Sequence, residues 1–181
     1  MPRDVVPIVM DYAELWHHFP LVRTNRFVEI NHRVGRQIYL MATIPGSVPP
    51  GAVRSLTVKI LSSDLNKGLR TFNHGGQNPF SFFQLSLITA ARMAVGLDCD
   101  VDNWIRDDSS LMILNHHHSQ DYTMYSKWCS VHDPDRESRA LVRSIGPGDK
   151  LALIMRVTKA AYVSSARFAS IECQVALVRK M

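Results

Sequence analysis

The chain has 181 residues, of which 46% are hydrophobic and 20% are charged, with 21 Lys and Arg against 16 Asp and Glu. This length and composition indicate one globular domain with a single core. They exclude a membrane-spanning helix, because no apolar run approaches the roughly 20 residues that such a helix needs. The net charge of +5 permits an anionic partner, but the sequence has no dense run of Lys and Arg.

Residues 1–35 differ in pattern from the rest and are expected to form an N-terminal arm. Asp11 is a candidate N-cap for a short helix over 12–18, and Pro20 would end it. The arm is followed by a domain at 36–181. The N-terminus lacks an apolar signal-type segment, which favours a cytoplasmic location. Three separated cysteines without a C-x-x-C pair are also typical of reduced thiols in that compartment.

Alternating apolar and polar residues predict strands at 37–44, 55–62, 80–90, 111–114, 121–131, 150–157 and 167–177. A short helix is expected at 136–145, capped by Asp133 or Asp135. Gly146-Pro-Gly-Asp149 predicts a turn that the Asp side chain closes. The last two strands are expected to be half-buried and antiparallel. Seven or eight strands with at most two short helices, and no regular alternation of strand and helix, predict an all-β fold, an antiparallel β-sandwich of jelly-roll type with a short helical N-terminal arm.

A run of three histidines is a candidate metal site. On a strand, His116 and His118 would point to one face, and two imidazoles at this spacing suit zinc, copper or iron. A third ligand could come from His74, Asp121 or His132. A cupin-like metal-dependent enzyme is therefore one alternative function, although a solvated hairpin explains the same run.

Aromatic and polar residues in the loops are a candidate ligand site. Trp104, Tyr122 and Trp128 could form a platform for stacking a sugar or a base, and His74 and Asn78 could add polar contacts. The sequence contains no P-loop, no G-x-G-x-x-G and no G-x-S-x-G motif. These patterns predict a non-enzymatic protein without a cofactor.

Three stretches resemble a β-rich domain that recurs in uncharacterised fungal proteins. They are Val58-Lys-Ile-Leu-Ser-Ser-Asp-Leu-Asn-Lys-Gly68, Asn78-Pro-Phe-Ser-Phe-Phe-Gln84, and Gly148-Asp-Lys-Leu-Ala-Leu153 with Ser170-Ile-Glu172. The resemblance covers about residues 37–178, with phenylalanines where the family has tryptophans in the second stretch. It implies a sandwich fold and an interaction module.

The sequence therefore predicts a non-catalytic binding or assembly module that recognises a carbohydrate or protein partner through its loops. We expect a homo-oligomer and no membrane partner. The alternative is a single jelly-roll viral coat or nucleocapsid-like protein that self-assembles and contacts nucleic acid, because the chain is basic and begins with an irregular arm.

Overall fold

The structure is a computed structural model that describes residues 16–66, 81–94, 110–115, 121–160 and 162–176. The strands are β1 (His17–Thr24), β2 (Val28–Asn31), β3 (Arg36–Thr43), β4 (Val53–Asn66), β5 (Ser81–Ile88), β6 (Ser110–Asn115), β7 (Thr123–Ser130), β8 (Lys150–Val157) and β9 (Tyr162–Val175). Two short helices, α1 (Ala90–Ala94) and α2 (Arg136–Ser144), complete the described elements. The predicted all-β fold is confirmed.

The strands form two antiparallel sheets. The five-stranded sheet has the order β1-β9-β4-β7, and β2 also pairs with β9. The four-stranded sheet has the order β3-β8-β5-β6. The last two strands, β8 and β9, therefore lie in opposite sheets and do not pair with each other. Their short link carries the chain from one sheet to the other.

The core lies between the two sheets. Every second residue of β4 and β9 is fully or almost fully buried on this side, as the alternation predicts. Leu56 pairs with Cys173, and Val58 with Ile171. Phe83, Leu153 and Met155 contribute from the four-stranded sheet, and all belong to the same apolar cluster. Both sheets thus bury one face in a common core, which makes the architecture sandwich-like.

The opposite face of the four-stranded sheet is also buried in part. Ile88, Ala152 and Ile154 form a second buried cluster there, with Ile38, Met41 and Met93 packed against it. We call this group the outer cluster. The sequence pattern predicts β8 as half-buried, but Ala152 and Ile154 are fully buried. Met93 of α1 supplies part of the cover.

The predicted turn before β8 is confirmed. Asp149 accepts a hydrogen bond from the Gly146 amide at 2.7 Å and one from the Ala90 amide at 2.8 Å, one on each carboxylate oxygen. Gly148 has a φ of +80°, a conformation that favours glycine. The side chain of Asp149 therefore closes the turn and also ties it to the start of α1.

The N-terminal residues of the described chain belong to the five-stranded sheet. The helix expected to reach His18 is not present at its predicted end, because His17 and His18 begin β1. Phe19 and Val22 pair with Cys173 and Ile171 of β9 and pack against the core. Residues 12–15, which complete that prediction, lie outside the described residues. The second helix is confirmed, with Asp135 as its N-cap.

Candidate binding face

The predicted site residues divide into two groups. The predicted ligand residues His74, Asn78 and Trp104, and the metal candidates His116 and His118, lie outside the described residues. Within the described ranges, no group of three His, Cys, Asp or Glu side chains could hold a metal ion. Tyr122 and Trp128 are among the described residues, and both lie on the outward face of the five-stranded sheet.

That face, on the side away from the core, carries Trp128. Cys129 pairs with Leu56 in the core, so its neighbour Trp128 must point outward. Trp128 is 56% exposed, and Met124, four residues earlier on the same face, is 53% exposed. Two large apolar side chains that stay this accessible make the outer face of β7 a candidate contact surface.

Polar groups lie beside the indole. Thr57 pairs with Trp128 on one side and with Glu172 on the other. Glu172 therefore lies two strands from Trp128, or about 10 Å, because neighbouring strands are about 4.8 Å apart. Lys59, the next outward residue after Thr57, follows on the same strand. We call Trp128, Thr57, Lys59 and Glu172 the indole end of the face.

Glu172 is the centre of a hydrogen-bonded network. Lys59 Nζ lies 3.4 Å from both carboxylate oxygens, and His18 Nε2 lies 3.1 Å from Oε2. The Ser170 hydroxyl donates to Oε1 at 3.2 Å. Burial acts to raise the pKa of Glu172, but the bonds and charge of Lys59, with Ser170 and His18, outweigh it and leave that pKa below its ordinary value. Glu172 is thus a fixed, ionised acceptor at neutral pH.

A β-bulge forms the other end of the face. β1 pairs with β9 as far as Ala169, and β2 resumes the pairing at Ala166. Residues 25–27 therefore lie opposite Arg167 and Phe168. This bulge places a set of arginine and aromatic residues at the same end of the sheet, and we call them the arginine end of the face: Arg23, Arg26, Phe27, Tyr122, Arg167 and Phe168.

Contacts between guanidinium groups and rings join the arginine end. The Arg167 guanidinium lies 4.1 Å from the centroid of the Tyr122 ring and 6.0 Å from that of Phe27. Arg23 lies 5.9 Å from the centroid of the Phe168 ring. These distances are within the range of cation–π attraction.

Hydroxyl groups anchor this end to the sheet. Tyr122 Oη lies 3.0 Å from Ser165 Oγ, which lies 2.8 Å from Ser63 Oγ. Tyr39 donates to the Arg26 carbonyl at 2.7 Å. Burial raises the pKa of Tyr39 to about 12, so its hydroxyl remains a donor at neutral pH. The Tyr122 hydroxyl and the Arg26 carbonyl are thereby held in place.

The Ser62-Ser63-Asp64 run lies in β4 and alternates between the two faces. Ser62 pairs with Ala166 of the core and is fully buried, so Asp64 also points inward, where it is 2% exposed. Burial first, and the charge of Asp64 second, raise the pKa of Tyr162. The run that carries the fungal resemblance therefore contributes mainly to the interior.

The two ends of the face can do different chemistry. The indole end offers an apolar ring beside hydroxyl, ammonium and carboxylate groups, which suits a neutral polyhydroxylated ligand. The arginine end offers positive charge beside aromatic rings. The outward positions of Thr57, Lys59 and Glu172 follow from the sequence alternation, but their proximity to Trp128 depends on strand pairing that the sequence does not reveal.

Within the described part of the chain, no helix is long and apolar enough to cross a membrane. No family model matches the chain, and no curated protein matches it.

Proposed function

We propose that the protein is a non-catalytic binding module that holds a carbohydrate at the indole end of its five-stranded sheet. The observation that carries this proposal is the exposure of Trp128 beside the hydrogen-bonded network of Glu172. An indole is a large, rigid contact surface with few rotatable bonds, so little conformational entropy is lost when a ligand covers it.

A sugar ring has an apolar face of C–H groups and a rim of hydroxyls. The apolar face would stack on Trp128, while the rim would meet Thr57 and Lys59. Because Glu172 is ionised and already held by several donors, its remaining acceptor capacity is oriented before the ligand arrives. A preorganised polar group of this kind favours a ligand with several hydroxyls over a purely apolar one.

We also propose that the two sheets form a jelly roll. The chain alternates between the sheets so that β1, β9, β4 and β7 lie side by side, facing β3, β8, β5 and β6. Two interleaved four-stranded orders of this kind are typical of jelly rolls, which include lectin domains and viral capsid proteins. The resemblance to the fungal β-rich domain agrees with this fold, since it implies a sandwich.

A glycan array followed by isothermal titration calorimetry would test the carbohydrate proposal. We expect Trp128→Ala to weaken binding of the best glycan at least tenfold, and Thr57→Val to weaken it less. Phe27→Ala is a matched control, because Phe27 is 55% exposed and lies at the arginine end. If no glycan binds, or if both aromatic variants behave alike, the proposal is wrong.

A coat-like assembly is the second candidate, and the same strand order favours it. Size-exclusion chromatography with light scattering, on protein purified without nuclease, separates the two. A species near 20.5 kDa with a protein-like 260/280 nm absorbance ratio would exclude the assembly. A large particle would favour it. The His116 and His118 metal site stays a prediction, and zinc binding that is equal in wild type and the double Ala variant would exclude it.

A further inference from the structure

We propose that the arginine end is a second binding site, independent of the indole end, and that it takes single-stranded nucleic acid. Phosphate groups would bind Arg23, Arg26 and Arg167, and an unpaired base would stack on Phe27. The bulge in β9, where Arg167 has no partner on β4, places these residues at the same end of the sheet.

The three guanidinium groups are available to an anionic ligand. All three arginines are exposed, and the part of the chain that the structure describes gives none of them an ion-pair partner. Like charges gathered on one surface repel one another, so an anion that neutralises them binds favourably. The described part of the chain therefore presents three exposed cationic groups at this end.

Stacking fixes how these groups can bind. The Arg167 guanidinium carbon lies 4.1 Å from the centroid of the Tyr122 ring, a separation at which a guanidinium typically stacks on a ring by its face. The N–H groups lie in the plane of the guanidinium, so stacking leaves its edges free to donate two parallel hydrogen bonds to a phosphate. Tyr122 itself is held by the Ser165 hydroxyl. Arg167 is thus oriented before a ligand binds.

The aromatic ring selects among anionic polymers. Phe27 is 55% exposed, and Arg167 lies 6.0 Å from its centroid. An exposed ring next to positive charge can stack an unpaired base, as in proteins that bind single strands without sequence preference. Paired bases in a duplex cannot reach such a ring. A sulfated polysaccharide offers anionic groups but no flat base to stack.

Two acidic residues oppose the positive charge. Glu29 pairs with Ser165 and so lies on the same face, and Asp121 precedes Tyr122. Both are exposed. Three arginines exceed these two carboxylates by one charge. We therefore expect modest affinity, and we expect Glu29→Gln to bind more tightly than wild type.

Fluorescence anisotropy with a labelled oligo(dT) 20-mer, at 50 and 200 mM NaCl, tests the proposal. Three phosphate contacts on a single strand predict a salt slope of about −2, so affinity should fall about twentyfold between these salt concentrations. Arg167→Ala should leave two contacts and reduce that loss to about sevenfold. Arg136→Ala, which removes an exposed arginine from α2, should leave both affinity and slope unchanged.

Three further measurements complete the test. Phe27→Ala should weaken binding to oligo(dT) but leave binding to heparin unchanged, and the duplex of the same length should bind more weakly than the single strand. Equal loss with Arg136→Ala, equal binding to duplex, or no effect of Phe27→Ala would overturn the proposal. Trp128→Ala should retain oligo(dT) binding, so failure at the indole end is distinguishable from failure here. Equal melting temperatures show that the variants fold.

Discussion

Ile154→Ala tests whether the outer face of the four-stranded sheet is covered as the structure shows. Ile154 is fully buried in the outer cluster and pairs with Ile38 on one side and Gln84 on the other. Truncation of a buried isoleucine to alanine typically costs about 2–5 kcal/mol, because transfer free energy is lost and a cavity remains. A central value of about 3 kcal/mol corresponds to about 6–12 °C in melting temperature for a chain of this size.

Urea unfolding followed by circular dichroism provides the measurement. Ile171→Ala is the matched core variant, because Ile171 is equally buried but lies between the two sheets. Val34→Ala is the surface control, since Val34 is 52% exposed and a change there should stay within about 0.5 kcal/mol. The slope of unfolding free energy against urea should be the same in all variants, so that the midpoints report stability alone.

The burial of the outer cluster is refuted if Ile154→Ala changes the free energy of unfolding as little as Val34→Ala does, while Ile171→Ala lowers it by about 3 kcal/mol. That result would mean that the outer cluster is exposed in solution and that the protein is stabilised by the inter-sheet core alone. Equal losses from Ile154→Ala and Ile171→Ala would show that both faces of the four-stranded sheet contribute to stability.

Two further predictions concern titratable groups. Glu172→Gln should lower the melting temperature at pH 7, and the difference from wild type should shrink as the pH falls. The reason is that the pKa of Glu172 is lower in the folded protein than its ordinary value of 4.5, so the ionised carboxylate stabilises the fold above that pH and the benefit is lost as the carboxylate becomes protonated. A difference that stays constant from pH 7 to 3 would contradict this. Burial raises the pKa of Cys129, and it raises that of Cys173 to about 11. In a Cys99→Ser background, iodoacetamide at pH 8 should therefore modify neither thiol in the native state and both in denaturant, and mass spectrometry of native protein carrying an adduct would refute the expectation.

The sequence predicts the strands well where alternation is regular. Leu56, Val58 and Ile60 in β4 point inward as their period of two requires, and the turn at Asp149 follows from its own residues. Local chemistry is sufficient for such features, because each depends on residues that are adjacent in the chain.

Two features of the fold depend on tertiary structure and do not follow from the local sequence: the strand β1 and the burial of both faces of β8. β1 contains Pro20, which lacks an amide hydrogen and is normally excluded from central strands; it is tolerated because β1 lies at the edge of the sheet. Ala152 and Ile154 occupy positions expected to face solvent, but cover on that face buries them. The apolar run 151–155 is the signal for burial on both faces.

The candidate face shows the same division between local and non-local information. The sequence predicts that Tyr122 and Trp128 lie on the same face of a strand, because they are an even number of residues apart. It also predicts the outward positions of Lys59 and Glu172. Their assembly into one surface depends on β9, which pairs with β1, β2 and β4 over its 14 residues. These contacts join residues more than 100 positions apart, such as Thr57 and Glu172.

β9 also explains why one face can hold two different ends. Its inward residues, such as Ile171, pack in the core, and its outward residues supply Glu172 to one end and Arg167 to the other. The register of β9 against β4 shifts at Arg167, and the pairing of β9 with β1 and β2 is interrupted at the same place. The core therefore holds both ends on the same strand, and the bulge separates the side chains of the indole end from those of the arginine end. Substitutions in the outward residues should accordingly alter one end without the other, whereas a disrupted core would affect both.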